Sequence, residues 1–388
     1  MNLYIIGAGP GCESLLTEEA KTLIKSAGLV VTTKRLFGNL SHLNPRMISG
    51  KYEELESLVR ESKEENICIL VSGDTGFFSA AKTYIKTFPE ARLICGLSSL
   101  QYFCARLKTG WDDVKLISLH GRSAQVVPHV CYNRRVFLLA EPQPVINELN
   151  EAGLGFVKVS VGEMLSAPSE RIVTDSAENL RGAEFSPLSV MLIENNSFNS
   201  PYGRIEDGAF IRGNVPMTKK EIRSLSLAAL DIKPTDIIAD IGAGTGAISA
   251  EAARSAHEGM VYSLEKEAEA VSLIQQNRRK FGAYNIDVRH RAAPDGITEL
   301  PPPTKAFIGG SGGKLREILT TLIRHSPRIR IVVNAVTLET VEKSLAIFKE
   351  AEYDTDIICA NISKAEKTGN SHMMKALNPV YIITGQSK

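Results

Sequence analysis

The run Asp240-Ile241-Gly242-Ala243-Gly244-Thr245-Gly246 constrains this chain more than any other stretch. It follows Ile237-Ile238-Ala239, an apolar run that reads as a short buried strand, and precedes Ala247 to Ala253, which reads as a helix. A glycine-rich turn from strand to helix lets a ligand approach the backbone and meet the positive end of the helix. The next strand, Met260 to Leu264, ends at Glu265. That is about twenty residues further on, where an acid grips a ribose in nucleotide-binding βαβ units. The segment predicts a parallel α/β sheet that binds a cofactor with an adenosine half.

The turn admits two cofactors. Gly242, Gly244 and Ala247 satisfy the dinucleotide pattern G-x-G-x-x-G/A, so a dehydrogenase is one reading. Two details favour S-adenosylmethionine. Asp240 stands at the strand end, where a carboxylate holds a cationic amino-acid moiety and repels a pyrophosphate. Gly246 supplies the third glycine of a tight G-x-G-x-G turn.

At 388 residues, two or three domains are expected. Forty-five basic residues against 44 acidic give a net charge of +1, which leaves no electrostatic footprint for nucleic acid. The six cysteines (Cys12, Cys68, Cys95, Cys104, Cys131 and Cys359) include no C-x-x-C pair, so neither a disulfide framework nor a zinc site is expected. No metal ligand set is predicted. The first residues lack a basic leader, and no apolar run reaches membrane-spanning length, so a soluble cytoplasmic protein without a membrane partner is expected.

Strand and helix signals alternate from Leu3 onward. They run through the strand Ile67 to Val71 and the helix Ser98 to Leu107, which is the grammar of a parallel sheet. Phe156 to Val161 and Leu188 to Ile193 then alternate like strands of a second, partly antiparallel lobe. Glu194 to Arg204 is polar and turn-rich and reads as the best linker. Beyond it the period restarts with helices predicted over 219–229, 267–281, 314–324 and 338–350. A hairpin-like strand pair near Asp356 and Val380 to Ile383 closes the sheet. The expected domains are 1–200, with lobes of about 1–112 and 113–200, and 205–388.

Each half opens with its own glycine-rich turn. Gly7-Ala8-Gly9-Pro10-Gly11 resembles half a dinucleotide fingerprint, but Pro10 removes a donor from any phosphate cradle and no lysine-serine pair follows. Two later strand ends carry Ser72-Gly73-Asp74-Thr75-Gly76-Phe77-Phe78 and Gly96-Leu97-Ser98-Ser99-Leu100-Gln101. Ligands of parallel sheets bind outside the carboxyl ends of the strands, where all three loops lie.

These three loops, in this order, resemble the tetrapyrrole methylases. Ser-Gly-Asp-Thr-Gly-Phe-Phe is similar to the variant that methylates C5 of precorrin-6Y; other members more often have proline where this chain has Thr75. The resemblance implies a two-lobed fold with S-adenosylmethionine between the lobes, touching Pro10, Gly73, Asp74, Ser98 and Ser99. In the second half, Val215-Pro216-Met217-Thr218-Lys219, the Asp240 loop, Gly309-Gly310-Ser311-Gly312-Gly313, Asn334 to Thr340 and Asn378-Pro379-Val380 resemble the partner enzymes. Those methylate C15 and decarboxylate the C12 acetate of the same substrate. Nearly the whole chain is thus similar to the fused C5,15-methyltransferases of cobalamin biosynthesis. The resemblance implies a Rossmann-like (class I) methyltransferase domain whose Thr218, Asp240, Gly242, Ala243, Gly244, Thr245, Gly246, Glu265 and Ala293 line a second S-adenosylmethionine site. Family members often have an acid just before Ala293, where this chain has Ala292. Self-association into a homo-oligomer is also implied.

A tetrapyrrole carrying many carboxylates asks for cations or helix N-termini around its site. Lys219, Arg223, Arg212, Lys314 and Arg316 are candidates, although each taken singly reads better as a solvated surface charge. Gly309, Gly310, Ser311 and Gly312 belong to a loop with four glycines in five residues, entropically costly unless a ligand approaches the backbone. His120 reads either as a substrate contact or as a satisfied loop histidine. Three rivals remain: a dehydrogenase, a methyltransferase of another substrate such as RNA, and a non-catalytic S-adenosylmethionine sensor. The dehydrogenase leaves the Gly7 and Gly309 loops unexplained. The strand end at Ile308-Gly309-Gly310-Ser311 lacks the N/D-P-P-Y/F pattern of amino-methylating enzymes.

Overall fold

The computed structural model describes residues 2–119 and 125–387, so His120 lies outside the described residues. The first lobe comprises β1 (Asn2–Gly7), α1 (Glu18–Ser26), β2 (Leu29–Thr32), α2 (Lys34–Leu40), β3 (Met47–Ser49), α3 (Tyr52–Glu61), β4 (Asn66–Val71), α4 (Ala81–Thr87), β5 (Arg92–Ile94) and α5 (Ser99–Arg106). Its sheet has the order β3-β2-β4-β1-β5, and every pair is parallel. Central strands covered on both faces must be apolar throughout. Ile5 and Ile69 accordingly pack into one buried cluster while Ile6 and Leu70 pack into another.

The elements that follow are β6 (Val114–Ser118), α6 (Val126–Tyr132), β7 (Arg135–Leu139), α7 (Pro142–Glu151), β8 (Lys158–Glu163), β9 (Arg171–Ser176) and β10 (Ser189–Glu194); the five strands form the sheet of the second lobe. Its order is β6-β7-β10-β8-β9, with only β6 and β7 parallel, in keeping with the expected partly antiparallel lobe. Helix α6 gave no signal in the sequence because all seven of its residues are buried, leaving no polar face to mark a period.

The remaining elements are α8 (Lys220–Leu230), β11 (Ile237–Ile241), α9 (Ala247–Ser255), β12 (Met260–Glu265), α10 (Ala268–Lys280), β13 (Ile286–His290), β14 (Lys305–Ile308), α11 (Leu315–His325), β15 (Arg330–Ala335), α12 (Leu338–Glu350), β16 (Tyr353–Ala360), β17 (Ser363–Thr368), β18 (Ser371–Ala376) and β19 (Val380–Ser387). The sheet runs β13-β12-β11-β14-β15-β19-β16; its first five strands are parallel and β19 is antiparallel to both neighbours. The reversal of direction between β11–β12 and β11–β14 makes a topological switch point at β11, where α/β sheets bind ligands. Strands β17 and β18 form a separate exposed ribbon inserted between β16 and β19. Its polar residues hid it from a search for apolar runs.

By contacts the chain divides into two compact units: residues 1–124, 135–147 and 156–194, and residues 125–134, 148–155 and 195–388. The polar stretch 194–204 is fastened rather than free. Asn195 is buried, donating from Nδ2 to the Val130 carbonyl at 2.8 Å and from its amide to the Arg134 carbonyl at 2.8 Å. The Asn199 amide donates to the Cys131 carbonyl at 2.9 Å.

Candidate functional site

At the carboxyl ends of β11, β12 and β14 lies a cavity of about 1000 Å³. Its floor is the Asp240 turn. Gly242 (φ +67°), Gly244 (φ +57°) and Gly246 (φ +76°) all occupy the left-handed region that only glycine enters cheaply. A Cβ on Gly242 would sit 2.5 Å from the Gly310 carbonyl oxygen, so the two glycine loops touch backbone to backbone.

Asp240 is fully buried, and burial pushes its carboxyl up to about 7, with the Glu265 carboxylate adding to the rise and the Ser249 hydroxyl opposing it. Its Oδ2 accepts from the Ser249 hydroxyl, which in turn lies 2.7 Å from the Ser263 hydroxyl. Its Oδ1 is buried without a hydrogen-bond partner, and so is Thr245 Oγ1. Two orphaned oxygens in one cavity are costly, and a cation or donor brought by a ligand answers both. Glu265 is held open by three backbone amides: Gly244 donates to Oε2 at 2.9 Å, and Lys266 and Glu267 donate to Oε1 at 2.8 and 3.0 Å. A carboxylate has about four acceptor positions, so Glu265 retains capacity for a hydroxyl. The arrangement fits a cofactor with a cationic end at Asp240 and a hydroxyl at Glu265.

The cavity gathers most of the residues singled out in the sequence. Thr218, Asp240, Gly242, Ala243, Gly244, Thr245, Glu265 and Ala293 line it, as do Lys219, Gly309, Gly310, Ser311, Gly312 and Lys314. Gly246 lies behind the lining, where it caps α9 and a Cβ would press on Ile274. Ala292 lines the cavity beside Ala293.

Arg223 is placed differently from the sequence expectation. It is fully buried, with Nε donating to Glu251 Oε1 at 2.6 Å and Nη1 donating to Asp207 Oδ1 at 3.1 Å and to the Thr218 carbonyl at 2.7 Å. Its guanidinium also stacks 5.0 Å from the Phe210 ring. With Nη2 donating to the Ile205 carbonyl at 2.5 Å, four of its five N–H donors are committed, and the side chain is wholly out of solvent, so Arg223 positions the Thr218 segment and is closed to a substrate. Arg316 pairs with Glu350 at 2.6 Å, and Arg212 is an exposed residue off the cavity lining. Sequence reasoning missed Asn277, whose Nδ2 donates to the carbonyls of Ile211 (2.8 Å) and Thr245 (2.9 Å), tying the entry segment to the glycine turn. A lone asparagine on the buried face of α10 was the available signal.

In the first lobe, β4, β1 and β5 are adjacent, so their three loops converge. The Gly9 amide donates to the Gly73 carbonyl at 3.1 Å and the Gly73 amide to the Gly9 carbonyl at 2.8 Å. A Cβ on Gly96 would stand 2.3 Å from the Gly7 carbonyl oxygen. Asp74 accepts from the Gly76 amide at 2.8 Å and the Gly96 amide at 3.1 Å. Ser98 caps α5, accepting from the Gln101 amide at 3.1 Å, and Ser99 opens that helix. Arg35, not anticipated, clamps two loops by donating to the Pro10 carbonyl at 2.8 Å and Ser72 Oγ at 2.7 Å. Pro10, Gly73, Asp74 and Ser98 thus lie in loops at one end of one sheet, with Ser99 at the start of α5 beside them.

Comparison with known proteins agrees with this architecture. A family model described as tetrapyrrole (corrin/porphyrin) methylases matches residues 2–181, and one described as a precorrin methyltransferase domain matches residues 209–386. A precorrin-6Y C(5,15)-methyltransferase [decarboxylating] from Sinorhizobium sp is 28% identical over 97% of this chain and 94% of its own. A probable cobalt-precorrin-6B C(15)-methyltransferase (decarboxylating) from Pyrobaculum calidifontis is 36% identical over 46% of this chain and 94% of its own. Among solved structures, a precorrin-6Y C5,15-methyltransferase from Geobacter metallireducens is 35% identical, covering 47% of this chain and 96% of that one, with a TM-score of 0.46. Two matched halves, joined in the order found in a relative aligned along almost the whole chain, place this protein in the family of decarboxylating precorrin-6Y C5,15-methyltransferases.

Proposed function

We propose that the chain is a bifunctional S-adenosylmethionine-dependent C-methyltransferase of corrin-ring synthesis, acting on precorrin-6Y or its cobalt counterpart. The C-terminal half methylates C15 and removes the C12 acetate carboxyl, and the N-terminal half methylates C5. Each half holds its own cofactor, and the enzyme works as a cytoplasmic homo-oligomer without nucleic-acid or membrane partners. The observation that carries this reading is the glycine-floored cavity with a buried, unpartnered Asp240 oxygen at the switch point of the sheet. The near-neutral charge and the absence, among the described residues, of any helix long and apolar enough to cross a membrane are consistent with it.

When bound, S-adenosylmethionine supplies an activated methyl group. The chain's residues then have to align donor and acceptor carbons and keep water out. Asp240 Oδ1 would hold the cationic end and Glu265 a ribose hydroxyl, and the apposed backbones of Gly242 and Gly310 would allow close approach. In the first lobe, Pro10, Gly73, Asp74, Ser98 and Ser99 provide the corresponding cradle. A reduced tetrapyrrole is an enamine-like nucleophile, so no strong base is required, and among the described residues no histidine lines the cavity. On decarboxylation carbon dioxide leaves, the electron pair of the broken carbon–carbon bond passes into the conjugated ring, and the side-chain carbon then takes up one proton from water to become a methyl group, which leaves positioning to the protein. Purified protein given S-adenosylmethionine and either the metal-free or the cobalt intermediate should yield two methyl gains and one carbon dioxide loss by mass spectrometry. If neither intermediate changes mass, the reading fails.

A further inference from the structure

The cavity lining carries both signs of charge. Asp240, Glu221, Glu265, Glu267 and Glu269 supply its carboxylates, and Lys219, Lys266, Arg291 and Lys314 its cations. None of Lys219, Arg291 and Lys314 has a carboxylate within ion-pair distance among the described residues, and their one side-chain hydrogen bond is a 3.3 Å donation from Arg291 to the His290 carbonyl. The other cation of the lining, Lys266, is paired with Glu267 at 3.4 Å. Of the lining carboxylates, Glu221, in the first turn of α8, is held by Lys364 of β17 at 2.8 Å.

The three free cations come from separate elements. Arg291 follows β13, Lys314 closes the glycine loop after β14, and Lys219 immediately precedes α8. In the sheet β13 and β14 are three inter-strand steps apart, roughly 14 Å. That spread suits a wide ligand with several anionic arms; a single phosphate or carboxylate needs its cations converged.

We infer that Lys219, Arg291 and Lys314 form a carboxylate-reading rim that orients a polycarboxylate macrocycle over the cofactor floor. This rests on the proposed function and extends it by naming specificity-determining residues, of which Arg291 carried no signal in the sequence. The rim fixes which face and edge of the ring meet the donor carbon.

The test uses the full chain and its Lys219→Gln, Arg291→Gln and Lys314→Gln variants, singly and combined. Binding of uroporphyrin, a stable polycarboxylate probe, is followed by absorbance at two ionic strengths, and S-adenosylmethionine affinity is measured in parallel. Each single variant should weaken uroporphyrin about threefold to tenfold. The triple variant should also lose most of the salt dependence seen in the parent. Unchanged uroporphyrin affinity and salt dependence would overturn the rim. So would an equal loss of cofactor affinity, which would assign these cations to the cofactor's own carboxylate. A parent protein that leaves both precorrin intermediates unmethylated would instead defeat the underlying function, whatever the variants do.

Discussion

Replacing Asp240 by asparagine tests the floor of the cavity through stability as well as binding. The carboxyl is moved by burial from 3.8 to about 7 in the folded protein. At ~1.36 kcal/mol per pH unit, ionising it in place opposes folding by at most about 4 kcal/mol. The sign follows from proton counts. Between pH 3.8 and about 7 the folded state holds the proton that the unfolded chain releases, so this contribution falls as pH rises across that window and is level above it. An asparagine in its place carries no charge, keeps an oxygen for the Ser249 hydroxyl and escapes the cost. Asp240→Asn should therefore stabilise the ligand-free protein by about 1–3 kcal/mol at pH 8 and by nearly nothing at pH 4. Urea denaturation of the ligand-free protein at pH 4, 6 and 8 measures this directly. S-adenosylmethionine should reverse the order. In the parent its affinity should improve as pH rises towards about 7 and then level off, whereas the variant should bind weakly and without that slope. A variant less stable than the parent at pH 8, with cofactor affinity intact, would refute the reasoning.

Two further outcomes follow from packing. Gly242→Ala would force a Cβ to 2.5 Å from the Gly310 carbonyl at φ +67° and should reduce cofactor affinity in the C-terminal half at least tenfold. Gly208→Ala, off the cavity lining and with nothing within 4 Å of its Cβ, should bind the cofactor much as the parent does; isothermal titration distinguishes them. Glu251→Gln removes the charge facing fully buried Arg223 and should destabilise the C-terminal unit by about 3–5 kcal/mol, read by chemical denaturation.

The strand-turn-helix at Asp240 was legible because its signal is local: apolar strand, glycines with obligatory positive φ, then helix formers. The loops at Gly7, Gly73 and Gly96 could be read for the same reason. Elements without amphipathic contrast were hidden, whether wholly buried like α6 or wholly exposed like the β17–β18 ribbon. Arg223 shows the other limit. A cation near a functional loop looks identical in sequence whether it faces solvent or neutralises Glu251 in the interior, because that choice is made by tertiary packing. Arg35, Asn277 and Arg291 became visible only once folding brought distant segments to one place.

Whether the enzyme has two independent donor sites is tested most directly by counting bound S-adenosylmethionine in the full-length parent and in Asp240→Ala, with product masses recorded on the same samples. Two cofactors per chain should fall to one, with C15 methylation and decarboxylation abolished and C5 methylation still measurable. A single cofactor per parent chain, or loss of both methylations in a folded Asp240→Ala protein, would contradict independent sites.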